Sequence, residues 1–291
     1  MVSTATMRVL EPAPHVLAFY DGRVPGRRLV SDAANWMDDG GYVLGIATYA
    51  VVDDGEAVLF DTGLSPDHGR AIRAELERRG VRSVRVVLSH HHRDHVAGGA
   101  AFAECEIIAL RATAEAMEAQ RDVFAAGTPP IAPLAMPTTV FDGVMGLRAG
   151  AVELELHPYD IHSRDGLTML LPVPRLLLAG DTLEDTVTYV AEPERLGLHL
   201  SELDRMARLD LRRILPCHGD PGRIAAGGYG PGLIAATRDY VAWLLALRED
   251  PSRADLPLRD VVAAALEGGA TTWFAPYEAV HRANVAAVLA P

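Results

Sequence analysis

Four of the eleven histidines lie close together, in the segment SHHHRDH at residues 89–95. Neutral imidazole offers a free lone pair, which makes histidine the commonest metal ligand near neutral pH. Alternate side chains of an extended segment share one side, so His90 and His92 can bind one ion while Asp94 and His95 serve a neighbouring ion. A surface or tag-like histidine cluster is the alternative. The apolar run that leads into the segment and the interleaved aspartate favour a metal site.

A buried strand must hold this segment at its carboxyl end. Residues 84–88 are apolar except for Arg85 and predict such a strand. Open α/β sheets bind their ligands at the carboxyl ends of strands. Around it we predict a β-meander over residues 16–60, alternating strands and helices up to residue 219, and flexible or surface loops at 25–41 and 127–139. After Gly230 the pattern is helical, so we divide the chain into residues 1–230 and a C-terminal helical extension at 231–291.

Charge and composition limit the functions open to the chain. The 39 acidic residues outnumber the 27 basic residues, which gives a net charge of −12. A nucleic-acid surface needs a basic patch, so we expect no nucleic-acid partner. No apolar run approaches the roughly 18 residues that span a membrane, and no signal-peptide pattern stands at residues 1–10. We therefore expect a cytoplasmic protein without a membrane partner. All of the basic residues counted are arginines, which excludes a lysine nucleophile.

Further motifs resemble those of the metallo-β-lactamase-fold metallo-hydrolases. His90-x-His92-x-Asp94-His95 looks like the signature of that superfamily, and FDTG at 60–63, LAGD at 178–181 and LPCHG at 215–219 resemble its later strand-end motifs in the same order. The resemblance covers residues 16–219 and matches no single branch. It implies an α/β fold, a four-layer αββα sandwich of two mixed β-sheets flanked by helices, with residues 1–230 as the catalytic domain.

The same resemblance implies two metal sites. The first ion would be bound by His90, His92 and a later histidine, the second by Asp94, His95 and His218, and Asp181 would bridge both. Ligation by nitrogen and carboxylate oxygen suits zinc, with iron or manganese as alternatives. Two zinc ions per chain with a bridging hydroxide would make the protein a dinuclear hydrolase in which Asp94 is the catalytic residue.

The segment around the later histidine departs from the family pattern, because the residues on both sides of the histidine differ from the usual Gly-His-Thr-Pro-Gly-like segment. We assign it to His162, which precedes the strand at 168–171 with the family's spacing. His157 is the alternative. It ends the preceding strand, and its alternating partners Glu153 and Glu155 indicate a solvent-facing side.

Residues around the ligands receive secondary roles. We expect Asp61 to orient the histidine segment and His91 to point away from the ions. Substrate contacts are predicted for Trp36, Met37, Arg164 and Glu184, with core packing as the alternative for the first two. A salt bridge of Arg164 with Asp160 or Asp165 is a further alternative. The outlying histidines, expected at the surface or at helix ends, are His15, His68, His199 and His281.

The leading functional hypothesis is cleavage of a small ester, lactone, thioester or amide. A mononuclear iron oxidoreductase resembling persulfide dioxygenases, a β-lactamase proper and an inactive scaffold are the alternatives. Lactonases of acyl-homoserine lactones carry a tyrosine where Glu184 stands, and β-lactamases generally lack the bridging aspartate that Asp181 supplies. The partner is a small-molecule substrate whose identity the sequence leaves open. The oligomeric state is equally open, a homodimer being one alternative.

Overall fold

The chain folds into two β-sheets packed face to face. The computed structural model describes residues 1–290. The first sheet has the spatial order β1-β2-β3-β4-β5-β6-β7 and the second β12-β11-β10-β9-β8. The strands are β1 (Arg8–Ala13), β2 (Val16–Asp21), β3 (Ile46–Asp53), β4 (Glu56–Phe60), β5 (Ser83–Val87), β6 (Glu106–Leu110), β7 (Thr139–Phe141), β8 (Met145–Ala149), β9 (Val152–Pro158), β10 (Leu167–Leu171), β11 (Leu176–Gly180) and β12 (Arg213–Pro216).

Both sheets are mixed. In the first, β1 to β4 pair antiparallel and β4 to β7 pair parallel. In the second, β8 to β11 pair antiparallel, while β11 and β12 are parallel. The parallel strands bring their carboxyl ends to one edge of each sheet, which is where the candidate ligands follow in the sequence.

Alternation along the strands builds the layers, because successive side chains of a strand face opposite sides. In β2, Val16, Ala18 and Tyr20 pack into the core between the sheets, whereas Leu17 and Phe19 pack under helices on the outer face. Leu176 and Leu178 of β11 face the same inner core, and the residues between and after them face a third core beneath the other helices. The predicted sandwich of two mixed sheets flanked by helices is therefore confirmed.

Helices cover both outer faces. The α-helices are α1 (Pro66–Arg78), α2 (Arg93–Val96), α3 (Arg111–Ala119), α4 (Arg121–Ala125), α5 (Leu196–Met206), α6 (Pro221–Ala225), α7 (Gly232–Ala246), α8 (Leu258–Val261), α9 (Ala263–Glu267) and α10 (Tyr277–Leu289). Within residues 1–290, no helix has the length and apolar character that crossing a bilayer requires. The C-terminal helices α7 and α10 share a core with the outer face of the second sheet. The division of the chain at residue 230 stays a prediction.

Several local predictions were wrong. The stretch 25–41, expected as a flexible loop, leads into a π-helical segment at Met37–Tyr42 that buries Met37. Of the outlying histidines expected at the surface or at helix ends, His68 and His199 lie in the first turns of α1 and α5 but are buried, and His281 is buried within α10. Their burial follows from polar partners or apolar neighbours far away in sequence, as with His68, whose Nε2 lies 3.0 Å from Asp21 Oδ2.

Candidate metal centre

The candidate ligands all follow strand ends or begin the short helix beside them. His90 and His92 lie between β5 and α2, and Asp94 and His95 stand in the first turns of α2. His162 lies between β9 and β10, Asp181 follows β11 directly, and His218 follows β12. Strand-end loops of both sheets therefore meet at one edge of the sandwich.

A first group consists of His90, His92 and His162, whose ring nitrogens lie within 4.8 Å of one another. His92 Nδ1 and His162 Nε2 are 2.9 Å apart. His162 has a φ of 69°, in the left-handed region that a non-glycine residue seldom occupies. Such backbone strain persists where surrounding structure imposes it and is frequent at functional sites.

A second group consists of Asp94, His95 and His218, and it meets the same distance limit. His218 Nε2 lies 3.3 Å from Asp94 Oδ2, and His95 Nε2 lies 3.7 Å from Asp94 Oδ1. Because α2 begins at Arg93, Asp94 and His95 lie in a helical turn and belong to this group. His90 and His92 lie in the extended residues before the helix and belong to the other group.

Asp181 lies between the two groups. Its Oδ2 is 3.1 Å from His95 Nε2 and 3.4 Å from His218 Nε2 on one side. On the other side it is 3.7 Å from His90 Nε2 and 3.8 Å from His162 Nε2. A single carboxylate oxygen therefore faces histidines of both groups, which is the position that a bridging ligand requires.

Most of these histidines are oriented by a contact on the ring nitrogen that faces away from the centre, an arrangement typical of metal-binding histidines. Asp61, which is buried after β4, accepts a hydrogen bond from His95 Nδ1 at 2.8 Å, as expected for an orienting residue. The other three contacts are His90 Nδ1 to Ser89 Oγ at 2.9 Å, His218 Nδ1 to the Gly45 carbonyl at 2.8 Å, and His162 Nδ1 to the Tyr189 carbonyl at 3.0 Å.

His157 and His91 lie outside both groups. His157 Nε2 is 2.9 Å from Glu155 Oε2 on β9, away from the centre. His91 belongs to neither group: its ring centroid lies 4.7 Å from that of His92, and its Nδ1 lies 3.0 Å from Asp165 Oδ1. The structure thus brings His162, rather than His157, to His90 and His92.

Charge and burial set the protonation of the centre. Burial lowers the pKa of His90 well below its usual range, so this ring is neutral and offers its lone pair. Burial acts in the same direction on His95, but the charges of Asp181 and Asp94 outweigh it and raise the pKa of His95 well above its usual range. Although burial by itself raises the pKa of Asp94, the neighbouring His95 and His218 hold it at about 2.

These properties fit a metal centre. His90 Nε2 and Asp181 Oδ1 are buried without a hydrogen-bond partner among residues 1–290, although buried polar atoms normally have one. The buried carboxylates attract protons to His95 and His218, and a divalent cation would neutralise the same negative charge. Both groups consist of imidazole and carboxylate donors and contain no thiolate. Such donors suit zinc, iron or manganese.

A cavity of about 580 Å³ opens over this centre. Of the predicted substrate contacts, Trp36 and Glu184 line the cavity, but Met37 and Arg164 do not. Met37 is 1% exposed and packs into the core between the sheets, because the π-helical segment turns it inward. Arg164 is exposed, and both of its predicted carboxylate partners are taken, since Asp160 binds Arg195 and Asp165 binds His91.

Sequence reasoning missed other parts of the cavity wall. Its lining also includes Arg93, Tyr189 and apolar residues of α10. Helical periodicity predicted α10 but carried no signal of what that helix packs against. Arg93 lies within the histidine motif, between His92 and Asp94. A positive charge at that position was the one available sign that it could contact a ligand.

Comparison with known proteins gives three findings. The family model described as the metallo-beta-lactamase superfamily matches residues 41–218. No curated protein matches the chain significantly. Similar solved structures include DIM-1 metallo-beta-lactamase (15% identity, 84% of this chain and 99% of that chain, TM-score 0.61), a metallo-beta-lactamase from Pontibacter korlensis (17%, 79% and 99%, 0.58) and TMB-1 (18%, 74% and 90%, 0.56). At these identities the likeness concerns the fold.

Proposed function

This chain belongs to the metallo-beta-lactamase superfamily, and from that premise we propose that it is a hydrolase using two zinc ions to cleave a small ester, lactone, thioester or amide. Family membership supports metal-dependent hydrolysis in general. The number of ions and the substrate class are our proposal. One observation carries it: Asp181 Oδ2 faces ring nitrogens from both histidine groups at 3.1 to 3.8 Å.

In this proposal His90, His92 and His162 would hold one ion, Asp94, His95 and His218 would hold the other, and Asp181 would be shared between the two sets. The ions, when bound, supply Lewis acidity and lower the pKa of a coordinated water to about 7. Asp94, which lines the cavity, accepts a hydrogen bond from the attacking water and orients it toward the substrate. Its low pKa keeps the carboxylate ionised for that task.

The cavity itself supports a small-molecule substrate. Its volume of about 580 Å³ lies within the range of about 300–1,000 Å³ common for ligand pockets. Trp36, Tyr189 and residues of α10 contribute to its lining. We propose that the protein acts on its substrate in the cytoplasm, the location expected from its sequence.

The test combines elemental analysis with a hydrolysis screen. We expect about two zinc ions per chain in protein purified without chelator, and turnover of a lactone, thioester or ester. Asp220→Asn, a half-buried carboxylate outside the ligand groups, is the charge-matched control for Asp94→Ala. One iron per chain, together with oxidation of a persulfide and no hydrolysis by the zinc form, would replace the proposal with the mononuclear redox function.

A further inference from the structure

Arg93 carries an unmatched charge inside the cavity. It is the first residue of α2, between the candidate ligands His92 and Asp94, and its half-buried side chain lines the cavity. Within residues 1–290 this side chain has no hydrogen bond, no ion pair and no aromatic ring beneath it. Some exposed arginines, such as Arg164, also lack a side-chain partner in the described part of the chain, but they lie outside the cavity, whereas Arg93 lines it.

The acidic residues of the cavity wall, by contrast, are all occupied. Asp39 pairs with Arg28 at 2.6 Å. Glu184 accepts hydrogen bonds from the Tyr189 amide at 2.8 Å and from the Tyr277 hydroxyl at 3.2 Å. The remaining two, Asp94 and Asp181, face the histidines of the metal centre. None of them is positioned against Arg93, so the cavity retains one cation for which it supplies no anion.

A cation that is partly withdrawn from water is stabilised when a ligand supplies the opposite charge, because the ion pair replaces hydration that burial has removed. The guanidinium group presents its donors in a planar fork that matches a carboxylate. Because Arg93 lines the same cavity as the candidate ligands His92 and Asp94, an anion bound to it shares that cavity with the metal centre.

Another part of the lining is apolar. Ala279, Val280 and Ala283 of α10 line the cavity together with Leu44 and Phe124. These side chains offer contact area and no hydrogen-bonding groups, so they accommodate an apolar part of a ligand. The two parts of the lining together describe a ligand with one anionic end and an apolar body.

We infer that the substrate carries a carboxylate, which Arg93 binds beside the metal centre, and an apolar portion that packs against α10. This inference rests on the proposed hydrolytic function and narrows its substrate class. It assigns to Arg93 the substrate contact that the sequence suggested for Arg164.

Two esters of equal chain length test the inference: 4-nitrophenyl hydrogen adipate, which is anionic, and 4-nitrophenyl hexanoate, which is neutral. A hydrogen-bonded charge pair implies a preference of about 10- to 100-fold in kcat/KM for the adipate ester. Arg93→Gln should bring the ratio of the two kcat/KM values close to one, and Arg93→Lys should keep part of it. Arg164→Gln removes an equal charge from an exposed site outside the cavity and should leave the ratio unchanged. A ratio that survives Arg93→Gln overturns the inference.

Binding of hexanoate, measured by calorimetry on zinc-loaded protein, separates this inference from the proposed function. We expect Arg93→Gln to weaken hexanoate binding at least about 10-fold and Arg164→Gln to leave it unaltered, with metal content equal in both variants. If hexanoate binding depends on Arg93 while the zinc form cleaves no ester, lactone, thioester or amide, the proposed function fails and the carboxylate site at Arg93 stands. If Arg93→Gln binds hexanoate as wild type does, the inference is wrong whatever the esters show.

Discussion

Asp61 determines which nitrogen of His95 faces the metal centre. The Asp61 carboxylate is 1% exposed and accepts from the Ser89 amide at 2.7 Å through Oδ1. Its Oδ2 accepts from the Ser89 hydroxyl and from His95 Nδ1, each at 2.8 Å. An ionised carboxylate only accepts hydrogen bonds, so Nδ1 of His95 keeps its proton. Nε2, which lies 3.1 Å from Asp181 Oδ2, is then the nitrogen that would give up its proton and offer a lone pair to a metal ion.

Asp61→Asn should invert that arrangement without disturbing the backbone. Asp61 has a φ of 70°, a conformation that asparagine also tolerates. The Ser89 amide can only donate, so the new side chain must turn its oxygen there and its NH₂ group toward His95 Nδ1. His95 then carries its proton on Nε2 and loses its lone pair toward the second group. Substitutions of such orienting residues cost 10- to 100-fold in metal affinity, which corresponds to about 1.4–2.7 kcal/mol.

The assay is a zinc titration in competition with a chromophoric chelator at fixed pH. We expect the weaker affinity at one of two steps, with the step belonging to His90, His92 and His162 nearly unchanged. Asp260→Asn, an exposed substitution on α8, is the matched control. Wild-type affinity at both steps, or an equal loss at both, would refute the assignment of Asp61 to His95.

Three further predictions concern single residues. Asp94→Ala should lose the second ion and most turnover while the thermal unfolding transition persists, and near wild-type rates would contradict the role of Asp94. His162→Ala should lose the first ion by elemental analysis, whereas His157→Ala should change unfolding free energy by only about 0.5 kcal/mol; the reverse pattern would make His157 the ligand. Asn284→Ala removes buried hydrogen bonds to Thr188 and Val190 and should cost about 2–4 kcal/mol in urea unfolding; an unchanged midpoint would refute that contribution.

The central strands could be predicted because their apolar pattern is strong. Strand β11 is buried along its whole length and reads as a continuous apolar run, and the last two residues of β5 are buried in the same way. The strands that the sequence missed lie at or near the sheet edges. β1 is half-exposed along its length, β7 has only three residues, and β8 alternates weakly around Gly146. Edge strands bury little, so their composition resembles that of loops.

The candidate ligands at residues 90–95 could also be predicted from their local spacing after a strand end, whereas His162, Asp181 and His218 were assigned from the resemblance to the family's motifs. The neighbours Trp36 and Met37 show where local reasoning fails. They were treated alike, yet Trp36 reaches the cavity and donates to the Pro129 carbonyl, while Met37 turns into the core. That difference depends on a helical turn and on packing partners nearly a hundred positions away, neither of which the local pattern encodes.

The C-terminal helix α10 shows that contacts distant in sequence also reach the metal centre. It lies outside residues 41–218, which the family model matches. Asn284, buried on α10, donates to the Thr188 carbonyl and accepts from the Val190 amide, so it holds the backbone on both sides of Tyr189. The Tyr189 carbonyl in turn contacts His162 Nδ1 at 3.0 Å. A helix that the sequence assigned to an appendage thus reaches the first histidine group through two hydrogen-bonded steps. The same helix supplies one wall of the cavity, so changes in α10 can alter both substrate fit and the orientation of His162.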